Sequence, residues 1–156
     1  MTETERIKDQ LRRAFEGEAW HGPSLREVLD GVTAERAALK PLAAAHSIWE
    51  IVNHLAAWNG AVRQRIKGAR IETPDEGDWP PVVDKSEAAW AVALEWLAAS
   101  HHELYEAVGA LSDSVLDEPM REGGASSFYL TLQGTIQHYA YHAGQIALLK
   151  KDSAAT

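Results

Sequence analysis

The sequence predicts an all-α protein, a four-helix bundle, and three observations predict it. Apolar residues recur at three- and four-residue spacing in four long stretches. No stretch shows sustained alternation of apolar and polar residues between turn signals, the pattern expected of strands. Clusters of Gly, Pro and polar residues separate the four periodic stretches. A chain of 156 residues is long enough to bury a core as one domain, 1–156.

The first helix is expected over residues 3 to 20, where Ile7, Leu11, Ala14, Phe15 and Ala19 form one apolar line. Trp20-His21-Gly22-Pro23 ends it, because Gly and Pro break helices and Pro biases its predecessor away from helical angles. Ser24 with Glu27 has the spacing of a capping box for a short helix over Leu25 to Asp30. Thr33 starts a second short turn through Leu39, stopped near Lys40-Pro41. The second long helix runs from Ser47 to Lys67 along Ile48, Ile51, Val52, Leu55, Val62 and Ile66, and Gly68 stops it.

Residues 69 to 84 are polar, with three prolines and the acidic run Asp75-Glu76-Gly77-Asp78. This connection is longer than an antiparallel neighbour requires, so a crossover is expected between the second and third long helices. Asp84 and Glu87 have capping-box spacing at the start of the third long helix. Its line is Trp90, Leu94, Leu97, His101, Leu104, Val108 and Leu111. A loop from Ser112 to Ser127, with Pro119 and Gly123-Gly124, precedes a fourth helix beginning near Leu130. The tail from Asp152 to Thr156 is expected to fray.

Composition narrows the function. A net charge of −8 with scattered Lys and Arg lacks the footprint of a nucleic-acid binder. The absence of cysteine removes disulfides, thiolate zinc sites and a cysteine nucleophile together. No apolar run reaches membrane-spanning length, and the first ten residues are too charged for a signal peptide. The expectation is a soluble, cytoplasmic protein with neither a nucleic-acid nor a membrane partner. There is no GxSxG elbow, phosphate-binding loop or dinucleotide fingerprint.

Histidines carry the remaining chemistry. His138 and His142 stand four apart on the last helix, about 40° from one another on one face. Two imidazoles so placed can hold one divalent ion, and His54 on the second long helix is the candidate third ligand. On a helical wheel His54 lies roughly 90° from its apolar stripe, on the inward flank near Trp58. Tyr139 follows His138, so the pair has no HExxH glutamate and is not a zinc-protease site. Seven histidines in a chain of this length give about 0.3 such pairs by chance, so spacing alone does not establish a site.

A resemblance adds to the spacing. Trp20-His-Gly-Pro-Ser24, His46-Ser-Ile-Trp-Glu-Ile-Val-Asn-His54-Leu-Ala-Ala-Trp58, and Gly134 to Gln145 with its His-x-x-x-His-x-Gly-Gln core stand in order across nearly the whole chain. Together they resemble the DinB/YfiT-like family of metalloenzymes. The resemblance implies an up-down-down-up bundle and a metal held by His54, His138 and His142. It also implies a homodimer, which the tryptophan-rich helices suit. Relatives in that family include thiol S-transferases that use low-molecular-weight thiols.

Three neutral imidazoles with open positions describe a catalytic type of site, since structural zinc has four protein ligands. Zinc, nickel and ferrous iron all suit imidazole. Three functions follow from this site. One is metal-dependent thiol transfer to a small molecule; another is metal-dependent hydrolysis of one. The third is a non-enzymatic helical module that binds metal or a partner.

Other residues keep two readings each. Glu50 and His101 are the candidate catalytic groups. Glu50, one turn before His54, either orients a water or acts as base, or is a solvated helix carboxylate. His101 is either substrate-facing or a satisfied core histidine, and Gln145, one turn after His142, stands as Glu50 does. His21 either approaches the bundle mouth or is a loop histidine. His46 and His102 read as solvent-facing or capping, and Trp49, Trp58, Trp90 and Trp96 as packing residues.

Overall fold

A computed structural model describes residues 1–152. Apart from Asp152, the tail expected to fray lies outside them. Six helices form: α1 (Glu3–Glu16), α2 (Leu25–Leu29), α3 (Ala34–Ala38), α4 (Ile48–Ile66), α5 (Glu87–Gly109) and α6 (Phe128–Asp152). Four are long, as the periodicity predicts, and no strand occurs among the described residues; one isolated bridge pairs Pro119 with Ser127. No helix among them is long and apolar enough to cross a membrane.

The caps follow the local chemistry with one exception. Ser24 with Glu27 and Ser47 with Glu50 close capping boxes on α2 and α4, and Thr33 caps α3. The expected box of Asp84 and Glu87 does not form. Ser86 caps α5 instead, accepting from Ala89 N, while Asp84 accepts from Ser86 N. Glu87 turns away to accept the Ala34 N–H at 3.0 Å, which joins α5 to the start of α3.

The first helix ends at Glu16, short of the expected residue 20. Gly17 at φ 150° and Glu18 at φ 64° leave the right-handed region. Arg13 steadies the turn by donating to the Glu18 carbonyl at 3.3 Å. At the other end of α1, Asp113 accepts from Glu3 N, Thr4 N and Thr4 Oγ1 at 2.7–2.9 Å. A carboxylate there satisfies orphan N–H groups and suits the helix dipole. Asp113 belongs to a 3-10 turn, Asp113–Val115, in the loop before α6, which itself starts two residues before Leu130.

One apolar cluster joins all six helices. Around it α1 packs on α5 and α6, α4 packs on α5 and α6, and α2 and α3 cover the flanks. Ile7, Leu11, Ile51, Leu55, Leu97, Leu104 and Ile146 are fully buried, each contributing about 1.5–3 kcal/mol by leaving water. Trp49 and Trp90 pack in this core with ring centroids 5.1 Å apart. The Trp90 indole finds its partner in the Val32 carbonyl at 2.7 Å.

A buried polar chain threads the same core. Ser100 Oγ donates to Leu97 O, and Asn59 Nδ2 donates to Ser100 Oγ at 3.1 Å. Tyr139 OH then donates to Asn59 Oδ1 at 2.8 Å, so α4, α5 and α6 are tied by side chains as well as by packing. Tyr139→Phe would leave the Asn59 oxygen and His101 Nδ1 without their partner. We expect it to cost about 1–3 kcal/mol in urea denaturation, with the m-value unchanged.

Candidate metal centre

The long helices bring three histidines together. His54 on α4 and His138 and His142 on α6 place their ligating nitrogens within 4.8 Å of one another. His54 Nε2 lies 2.9 Å from His138 Nε2, which lies 3.0 Å from His142 Nε2. His54 and His142 are buried, and His138 is half-buried.

The outer ring nitrogens settle which face points inward. His54 Nδ1 donates to the Asp78 carbonyl at 2.6 Å, and His142 Nδ1 donates to Gln145 Oε1 at 2.7 Å. Each of these rings therefore turns a lone pair inward at Nε2. His138 Nε2 carries at most one proton while neutral, and it faces two lone pairs. At least one of the short N···N contacts is then lone pair against lone pair. A cation removes that repulsion. Three nitrogens about 2.0–2.1 Å from one tetrahedral ion stand roughly 3.3 Å apart, close to the spacing here. The donor set fits a divalent metal.

Electrostatics favours the same state. Burial is the main cause of the lowered pKa of all three imidazoles. His138 and His142 are pushed down to about 4, with the neighbouring imidazoles adding to the effect. Neutral imidazoles are the form that binds a metal.

The 67–86 connection completes the site. Pro80 O accepts from Asn53 Nδ2 at 3.3 Å, which fixes the segment on α4. Trp79 stacks on His54, with centroids 3.9 Å apart and planes 11° from parallel, and on His46 at 3.4 Å and 6°. Asp78 Oδ1 accepts from Trp58 Nε1 at 2.7 Å and stands 3.3 Å from His54 Nδ1. Among the described residues Asp78 Oδ2 has no polar partner. A cavity of about 350 Å³ opens beside the cluster, lined by His54, His138, Trp58, Asp78, Thr131 and Thr135.

The other residues singled out in the sequence fall elsewhere. Glu50 closes the α4 capping box and pairs with Lys40 at 2.8 Å and His46 at 3.2 Å. His101 stacks on Phe15 and contacts Tyr139 and Tyr105. No hydrogen bond or ring contact among the described residues joins either to the three imidazoles. Gln145 does reach the cluster, through His142. Trp58 is a wall of the cavity beside the cluster as well as a packing residue, whereas Trp49 and Trp90 are buried in the core away from it. Asp78 and Trp79 were missed, since an acidic run in a Pro-rich loop reads as solvated; the one available signal was Trp79 directly after that run.

The fold and the cluster define a helical protein with three histidines arranged to take a divalent ion. A family model described as the DinB superfamily matches residues 19–146, most of the length. The chain belongs to the DinB superfamily. Comparison with curated proteins and with solved structures gives no match.

Burial also makes the centre pH-sensitive. His101, His138 and His142 hold folded pKa values near 4, against an ordinary 6.5. Between these values the unfolded chain binds more protons, so stability is lost as the pH falls. Each of these histidines should remove of order 1 kcal/mol per pH unit in that window. Metal-free protein is expected to show a denaturation midpoint that falls steadily below pH 6.5, with a shallower slope in His138→Gln.

Proposed function

We propose that this protein is a metal-dependent enzyme that transfers a low-molecular-weight thiol to an electrophilic small molecule at the site of His54, His138 and His142. The observation that carries it is the crowding of three imidazole nitrogens, at least two of them bare of protons, beside a cavity of small-molecule size. When bound, a divalent zinc, nickel or iron ion lowers the pKa of a thiol or water that reaches its open position.

The chain's own residues supply the rest. Asp78 O and Gln145 Oε1 hold His54 and His142 in the tautomer that ligates. Trp79 shields the face of His54 on which it stacks, and Trp58 fixes the Asp78 carboxylate at the cavity wall. Asp78 Oδ2 takes the thiol proton. The sulfur then forms a bond to the electrophilic carbon while the bond to the leaving group breaks, and the leaving group departs with that proton. Thr131 and Thr135, with no charged neighbour other than Asp78 in the lining, suit an uncharged electrophile.

In this reading Glu50 and His101 are positioning groups. Glu50 acts through His46 and Trp79 on His54, and His101 acts through Tyr139 and Asn59 at the cavity wall. The long 67–86 connection supports an up-down-down-up order of the four long helices. The exposed Asp78 carboxylate also favours a second reading, hydrolysis, in which it takes a proton from water.

Metal analysis of untagged protein tests the centre. We expect about one divalent ion per chain in the wild type and a loss of at least tenfold in affinity in His54→Ala. Equal metal content in both would end the three-histidine reading. The reaction is tested by following an alkyl halide with and without a low-molecular-weight thiol. Consumption that needs both metal and thiol is expected, and Asp78→Asn should lower it by about 10²-fold or more. Turnover without thiol would establish hydrolysis. Metal binding without turnover of either kind would leave a binding module.

A further inference from the structure

A cavity larger than the one beside the three histidines lies on another side of the core. It measures about 760 Å³ and lies where α1, α2 and α5 meet, within the size range of small-molecule sites. Phe15, Leu29, Leu94 and Leu97 give it apolar walls, and His101 borders it.

His101 is only 4% exposed, and the polar chain in the core fixes its protons. Ser100 gives its hydroxyl proton to Leu97 O, so its oxygen accepts from Asn59 Nδ2. Asn59 Oδ1 is then the acceptor for Tyr139 OH, which uses the only proton of that hydroxyl. The Tyr139 oxygen, 3.2 Å away, must therefore accept from His101 Nδ1–H. A neutral ring with its proton on Nδ1 has a bare lone pair on Nε2. Burial pushes this imidazole down to about 4, which keeps it neutral at physiological pH. Nε2 has no partner among the described residues.

The cavity thus combines apolar walls with one unpartnered acceptor, Nε2, on an otherwise buried ring. The parallel stack of His101 on Phe15, 3.8 Å between centroids and 4° between planes, makes part of its surface flat. Charge at the cavity is mixed, with Arg12 and Arg26 against Glu16, Asp30 and Glu95, so no net field selects an ion.

We propose that this cavity is a second small-molecule site, which takes a flat, uncharged aromatic compound carrying one hydroxyl or N–H donor, with His101 Nε2 as its acceptor. Phenols are the simplest members of that class. The site is distinct from the metal centre, and the hydrogen bonds through Tyr139 and Asn59 run between the two. Recognition is by shape and one hydrogen bond, since an unmet acceptor penalises a ligand that lacks the donor.

Phenol and toluene, nearly equal in shape, test this with the full chain and isotope-labelled leucine methyls. Phenol should shift Leu29, Leu94 and Leu97 saturably and bind about fivefold more tightly than toluene. Leu94→Trp should abolish binding of both by filling the cavity. His101→Phe, which keeps a ring against Phe15, should equalise the two. Nitrogen NMR of the wild type should show His101 protonated at Nδ1 alone between about pH 6 and 8. A proton on Nε2 instead would overturn the proposal, and this measurement needs no variant to fold. Equal affinity for phenol and toluene in the wild type, or phenol binding that Leu94→Trp leaves intact, would overturn it as well.

Discussion

Three imidazole nitrogens meet in a space with too few protons to satisfy them. Much of the molecule holds that arrangement in place. The core packing of α4 and α6 sets the distance between His54 and the pair on α6. The Asp78 carbonyl and Gln145 then choose the tautomers, and burial keeps the rings uncharged. Without a cation, each of these features adds to lone-pair repulsion; with one, each becomes preorganisation. The same residues cannot be read as ordinary core histidines, whose nitrogens would pair with donors and acceptors of opposite kind.

The interior has a second polar device of the opposite character. From Ser100 through Asn59 and Tyr139 to His101 each link joins a donor to an acceptor, and the chain ends on an open lone pair at His101 Nε2. Satisfied networks of this kind fix helix register, because a shift by one residue would orphan several groups at once. Asn59 also borders the cavity beside the metal cluster, and His101 borders the larger one. The two cavities are therefore connected by hydrogen bonds through the core, although neither opens on the residues of the other's chemistry.

What the sequence disclosed follows the range of the forces involved. Helix positions and most caps depend on neighbours within one turn, so Ser24, Thr33 and Ser47 could be read directly. The exception, Ser86 in place of Asp84, arose because Glu87 was drawn to the distant Ala34 N–H. The last turn expected of α1 was lost to a backbone reversal at Gly17 and Glu18, which apolar spacing does not register. His54, His138 and His142 were legible because a 100° helical step fixes the flank each occupies. Asp78 and Trp79 were not, since a loop has no period to say which side chains turn inward. Nor could spacing separate His101 from the other three; that needed Tyr139 and Asn59, from two further segments.

The carboxylate that closes the start of α1 comes from Asp113, 110 residues further along the chain than Glu3. A helix of fourteen residues is marginal by itself in water. Its first turn has a local cap, Thr2 with Glu5, and a long-range one, Asp113. The apolar face carrying Ile7, Leu11 and Phe15 is completed by segments distant in sequence, and contacts of that range form more slowly than local ones.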